Sequence, residues 1–211
     1  DIPKEMQERA MQIIEGAFAK VTAIITAENM ALLVAKGCAN FAIAAINALA
    51  SMTIALINNF TDFANAGMAD RAMTLIENSF GAIRSVLTTE SIKTLISLGK
   101  DGSRVVVAAL NALGSMTVSL IENFSQFAAA GGEFAYRAMQ QITASFVTVR
   151  TVLTMENVMS LLSSDMIANG SLTVLVAAVT NLTKMTNALI QNFSQFAAAG
   201  TYTDADGNIH N

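Results

Sequence analysis

The run Ile57-Asn58-Asn59-Phe60-Thr61-Asp62-Phe63-Ala64-Asn65-Ala66-Gly67 returns as Ile121-Glu122-Asn123-Phe124-Ser125-Gln126-Phe127-Ala128-Ala129-Ala130-Gly131. It returns again as Ile190-Gln191-Asn192-Phe193-Ser194-Gln195-Phe196-Ala197-Ala198-Ala199-Gly200. Phe60, Phe124 and Phe193 hold the same place in the three runs, at separations of 64 and 69 residues. A second marker, Arg-Ala-Met, stands at Arg9, Arg71 and Arg137, separated by 62 and 66 residues. Self-similarity at such a period predicts supersecondary units that stack on one another to bury a shared core. The chain is therefore expected to be one all-α domain over residues 1–200, made of units at 1–67, 68–131 and 132–200, with a polar tail at 201–211.

Each unit reads as a first helix, a short helix and a long one, nine in all. In the first helix Met11, Ile14, Phe18, Val21 and Ile25 step by three and four and share one face. Met73, Ile76, Phe80, Ile83 and Leu87 repeat that stripe, as do Met139, Ile142, Phe146, Val149 and Leu153. Asp1 as cap and Pro3 near the first turn suit the opening helix. Thr26, Thr88 and Thr154 then precede Glu28, Glu90 and Glu156. A Thr hydroxyl caps there, and a Glu two residues on meets the positive helix end, so these glutamates are expected to be structural. Short helices are expected to stop near Gly37, near Lys100-Asp101-Gly102-Ser103 and near Asn169-Gly170.

The long helices are the most apolar part. Cys38 to Thr61 contains no charged residue, and its polar positions Asn40, Asn47, Ser51, Asn58, Asp62 and Asn65 form one narrow stripe. Arg104, Asn111, Ser115, Glu122 and Gln126 occupy the same positions in the second unit, and Thr173, Thr180, Lys184, Gln191 and Gln195 in the third. Each long helix is expected to run to its Phe-rich end and stop at Gly67, Gly131 or Gly200. These helices should form an inner layer with the first helices covering it. A closed pseudo-three-fold array and an open stack both satisfy the pattern.

Composition narrows the function. Of 211 residues, 53% are hydrophobic and only 13% charged, about half the ~25% usual in soluble domains. With 12 Lys+Arg against 16 Asp+Glu and a net charge of −4, there is no basic field for a nucleic-acid partner. One His, one Cys and no Trp leave few groups for catalytic or metal constellations. No P-loop, dinucleotide fingerprint, nucleophile elbow or zinc-protease signature is present. An enzyme is not expected, nor is a metal or a required cofactor. Cys38 is expected to act as a small buried hydrophobe, and Asp204-Ala205-Asp206-Gly207-Asn208 as a turn rather than a calcium loop.

The apolar excess, with 12 Met able to fit irregular shapes, points to a carrier enclosing a lipid, sterol or pigment. Phe41, Phe60, Phe63, Phe124, Phe127, Phe193 and Phe196 are the expected lining. A self-assembling structural protein is the alternative, since low charge favours association, and a homo-oligomer is expected. A membrane-associated protein is a further alternative, because each long helix approaches the ~20 apolar residues that a span requires. Arg104, Glu122 and Lys184 in the stripes, and the lack of Lys/Arg asymmetry, weigh against spanning. Arg9, Arg71 and Arg137 are candidates for acidic groups or for an interface. The favoured contact is the carbonyl-rich end of a preceding long helix, with the partner of Arg9 coming from another subunit or from the last unit. An Asp at the start instead of an initiator Met suggests a processed or excised chain and, with sequons at Asn59, Asn123, Asn169, Asn181 and Asn192, a secreted one. Asn-Phe-Thr/Ser inside a helix is nevertheless a poor glycosylation acceptor.

Overall fold

The computed structural model describes residues 3–197, 202–203 and 209–210. Thirteen helices follow one another: α1 (Lys4–Ile24), α2 (Ala27–Ala35), α3 (Ala39–Asn58), α4 (Phe60–Asn65), α5 (Ala69–Val86), α6 (Thr89–Ser97), α7 (Lys100–Glu122), α8 (Phe124–Ala130), α9 (Gly132–Val152), α10 (Met155–Leu161), α11 (Ser164–Ala168), α12 (Ser171–Gln191) and α13 (Phe193–Ala197). The body is all-α. In the tail, β1 (Tyr202–Thr203) and β2 (Ile209–His210) pair antiparallel, with Tyr202 opposite His210. The Asp1 cap, the Gly200 stop and the turn at 204–208 lie outside the described residues.

The Thr caps form as the sequence suggests. Thr26 Oγ1 accepts from the Asn29 N–H at 3.1 Å, Thr88 from Ser91 at 3.2 Å and Thr154 from Asn157 at 3.4 Å. Glu28, Glu90 and Glu156 each sit in the first turn that follows. The helix count exceeds the expected nine for two reasons. Each long helix breaks at an Asn before reaching its Gly, and the third short helix is split into α10 and α11 around Ser163. At the breaks the Asn59, Asn123 and Asn192 side chains donate to the carbonyls of Ala55, Ser119 and Ala188 at 2.8, 2.9 and 2.9 Å. Each carbonyl also accepts the backbone N–H of the same Asn, at 3.2, 3.0 and 3.0 Å, so side chain and backbone together close the helix end, and the chain restarts as α4, α8 and α13.

A second boundary also differs. Lys100 to Ser103 do not end a helix; the stop is Gly99, at φ 101°, and Lys100 opens α7. Gly102 is needed inside the first turn of α7, because a Cβ there would collide with the Leu95 carbonyl of α6. Its smallness serves helix contact rather than termination.

The helices lie in two layers. α3, α7 and α12 form one row, with α7 packed between the other two, and α1, α5 and α9 form the row that covers it. The short helices close one end of the layers: α2 lies on α3 and α6, and α11 on α6 and α12. α4, α8 and α13 succeed one another at the opposite end. Among the described residues no contact of comparable extent joins α3 to α12. The closed three-fold array therefore does not form; the row is open at both ends. Between the layers runs one continuous core that includes Phe80, Met73, Leu113 and Met116, all fully buried. The polar stripes Asn40–Asn58, Arg104–Glu122 and Thr173–Gln191 face solvent on the outer side of the long-helix row.

Candidate functional site

The three repeated arginines differ in what they hold. Arg71 on α5 reaches back to α1, donating through Nε and Nη2 to both Glu15 carboxylate oxygens at 2.7 Å and through Nη1 to Glu8 at 2.7 Å. Arg137 on α9 repeats this on α5, with Glu77 at 2.9 and 2.7 Å and Asp70 at 2.6 Å. The accepting carboxylates lift both guanidinium pKa values further above their ordinary range. The Arg71 guanidinium holds the Glu8 and Glu15 carboxyls below theirs. Arg9 pairs with Glu5 one turn back on its own exposed surface. The expected contact with a helix carbonyl end is thus replaced by acid pairs on the neighbouring first helix, because a bidentate carboxylate matches guanidinium geometry better than carbonyls do.

Those four acids are the packing partners of the two arginines and are not among the expected site residues. A signal for them exists: an acid precedes Arg9 and Arg71 by one residue and follows each by six, at Glu8, Glu15, Asp70 and Glu77. Around Arg137 the same places hold Tyr136 and Thr143. The series of acids therefore stops at α9.

The seven expected lining residues do not gather around one enclosed cavity. Phe60 and Phe127 are fully buried and stack on each other, with ring centroids 4.1 Å apart; Phe134 meets the Phe60 ring edge-on at 5.7 Å. Phe124 stacks on Phe196 at 4.3 Å. Phe41 and Phe193 are instead exposed, at 54% and 68%. Phe63 is half-buried and lines an open apolar groove of about 540 Å³ between α1 and α3, with Ile13, Ile14, Phe18, Met52 and Leu56. The cause is sequential packing: α8 lies on α4 and α13 on α8, so Phe60 and Phe124 are covered by the end that follows, Phe127 and Phe196 meet the end that precedes, and among the described residues Phe63 and Phe193 each lack the neighbour on that side.

Positions on the long helices follow the same rule. Ile46, Ile57 and Phe60 are fully buried, as are their counterparts Leu110 and Ile121, with Phe124 at 2% exposure. The third set, Val179, Ile190 and Phe193, stands exposed at 53%, 69% and 68%. On the opposite flank the pattern reverses. Phe41 is exposed, while its counterparts Val105 and Val174 are fully buried. Ala44 and Ala48 are likewise exposed where Ala108, Ala112, Ala177 and Asn181 are buried. The outer faces of α3 and α12 are thus apolar, and among the described residues no helix covers them as α7 is covered. By length and composition α3, α7 and α12 are each also apolar enough to cross a membrane.

Other groups carry less chemistry. An open polar cleft of about 480 Å³ crosses the stripes beside Asn58, Glu122, Lys184 and Gln191. Cys38 is exposed, not buried, because it precedes α3 at the surface, where its Sγ contacts the Lys36 carbonyl at 3.7 Å. The His210 side chain lies outside the described residues. Burial pushes the Arg84 guanidinium pKa down; Nη1 has no hydrogen-bond partner, and the group lies 6.0 Å from the Phe80 ring centroid. Among the described residues no group of three His, Cys, Asp or Glu is placed to hold a metal. Of the sequons, Asn181 is 1% exposed and donates to Asn111 at 2.9 Å, and Asn59, Asn123 and Asn192 are engaged at the helix breaks. No family model, no curated protein and no solved structure matches this chain.

Proposed function

We propose that the chain is three copies of one helical unit and acts as a non-enzymatic structural protein that assembles through the apolar ends of its stack. One observation carries the reading: Val179, Ile190 and Phe193 are exposed where their counterparts in the two earlier copies are almost wholly buried. A copy whose outer face meets water ordinarily carries polar residues there. An apolar face of this kind ordinarily marks an interaction site. Sedimentation of the detergent-free chain over a range of concentrations tests the reading. Defined species at multiples of 22.2 kDa are expected, and a single 22.2 kDa species at every concentration would refute it.

A second reading is favoured by the groove between α1 and α3. Its volume of about 540 Å³ falls within the ~300–1,000 Å³ of small-molecule sites, and its lining is almost wholly apolar. A lipid, sterol or pigment would bind there, at the open end of the stack, rather than in the filled interior. Native mass spectrometry of protein from its natural source, with analysis of the organic extract, separates the two. A stoichiometric apolar compound supports the carrier; a bare mass removes it.

A further inference from the structure

We infer that the face of α12 that no described element covers docks, head to tail, on the corresponding open face of α3 and the adjoining α1 groove of a second copy of this chain. The inference rests on the assembly reading and adds the partner surface and its polarity. Two interfaces already inside the chain specify what belongs on the α12 face. Phe60 stacks on Phe127, and Phe124 stacks on Phe196. Phe193 is the next ring in that series and is 68% exposed. The residue that corresponds to Phe127 and Phe196 in the first copy is Phe63, which lies at the groove. Continuing the series places Phe193 of one chain on Phe63 of the next.

Polar contacts continue in the same register. The Thr61 N–H donates to Gln126 Oε1 at 3.1 Å, and the Ser125 N–H donates to Gln195 Oε1 at 3.0 Å. The next pair in the series is the Ser194 N–H and the Asp62 side chain, whose carboxylate is a stronger acceptor than an amide. Side-chain volume agrees as well. Gly114 on α7 faces Asn181 so closely that any Cβ would strike it. The continued interface would set Thr183 against Ala48, the large and small partners exchanging sides.

The covering row does not continue in this way. Tyr136 and Thr143 replace the acids that would receive Arg9, and β1 lies against α9. The contact therefore runs along the long-helix row and leaves Arg9 with Glu5. Such a contact is heterologous: each chain offers one end and accepts the other, so chains add without a built-in limit unless the rotation closes a ring.

Two single substitutions at exposed positions test this without touching the core. Phe193→Asp disables one end, and Ile13→Asp, at a residue 73% exposed on the groove rim, disables the other. Circular dichroism and melting of each variant at low concentration should match the parent. Alone, each variant should raise the dissociation constant by roughly thirty-fold or more, as expected when a charge replaces an anchoring contact. Mixed in equal amounts, they should recover a dimer that stops at one copy of each, read by native mass spectrometry. A parent chain that assembles while neither variant weakens assembly would overturn this inference and leave the assembly reading standing, as would variants that no mixture rescues. A parent that stays monomeric overturns both. So does one that stays monomeric and binds phosphatidylcholine vesicles through Phe193, since lipid would then be the occupant of that face.

Discussion

α7 and α12 carry polar stripes and apolar residues at matching positions, and they pack against each other, yet most of the apolar stretch of α7 is buried and only a minor part of that of α12. α3, at the other edge of the row, lies between them in burial. The sequence pattern of a helix states how many neighbours it can take. Its place in the row decides how many it has. α7 meets α3 on one flank and α12 on the other, so both of its apolar flanks are dry. α3 and α12 each keep one flank wet, and these are the flanks that the proposed assembly would cover.

The largest effect should come from truncating two matching phenylalanines, one buried and one exposed. Phe124 is 2% exposed and stacked on Phe196; Phe193 is 68% exposed. Phe124→Ala is expected to cost about 3–5 kcal/mol through lost burial and the cavity left behind. Phe193→Ala should stay within about 0.5 kcal/mol, as surface changes do. Urea unfolding at concentrations where the chain is monomeric reads both. Equal losses at the two positions would mean that the end of α12 is covered within one chain, and the contrast between α7 and α12 would fall.

The α7–α12 contact itself can be broken from within. A Cβ at Gly114 would drive into the Asn181 side chain, whereas one at Gly16 or Gly81 meets nothing within 4 Å. Gly114→Ala should therefore lose about 1–3 kcal/mol from overpacking, outweighing the gain in helix propensity. Gly16→Ala and Gly81→Ala should gain about 0.4–1 kcal/mol. Adding Asn181→Ala to Gly114→Ala should restore part of the loss, and a double-mutant cycle with no coupling would show that the two residues do not set the approach of the helices.

How far these features can be read before any coordinates are seen depends on their range. The caps at Thr26, Thr88 and Thr154 involve partners three residues away, and the spacing alone places them. The all-α class follows from stripes that step by three and four. The breaks at Asn59, Asn123 and Asn192 are equally local, but an Asn side chain turned back on its own helix looks from sequence like one more polar residue of the stripe. Gly102 reads as a stop signal, and only the proximity of Leu95 reveals it as a contact residue. The Phe positions were legible as a series but not as a site. Whether a ring becomes core or surface is settled by which helices pack beside it on either flank, which no local pattern encodes. The acid partners of Arg71 and Arg137 lie 56 to 67 residues away and become visible only when the stretches around Arg9, Arg71 and Arg137 are set beside one another.

The smallest expected effect compares the arginines at the two ends of that ion-pair series. Glu8 and Glu15 are held below their ordinary value of 4.5 by the Arg71 guanidinium, through hydrogen bonds first and charge second. A carboxylate whose pKa is depressed by folding leaves the unfolded chain holding more protons at acid pH. Its contribution is thus fully present above pH 4.5 and fades as the pH falls through the depressed values of the folded protein. Melting temperatures taken from pH 6 down to pH 3 should therefore drop, and Arg71→Met should flatten part of that drop. Arg9→Met should leave the slope as it is, since Arg9 meets only Glu5 on an open surface with both side chains about three-quarters exposed. Salt should weaken the Arg71 effect because these pairs border solvent. An acid slope that Arg71→Met leaves unchanged would show that the α1–α5 ion pairs add nothing measurable. The seating of α1 on α5 would then rest on the apolar stripe alone.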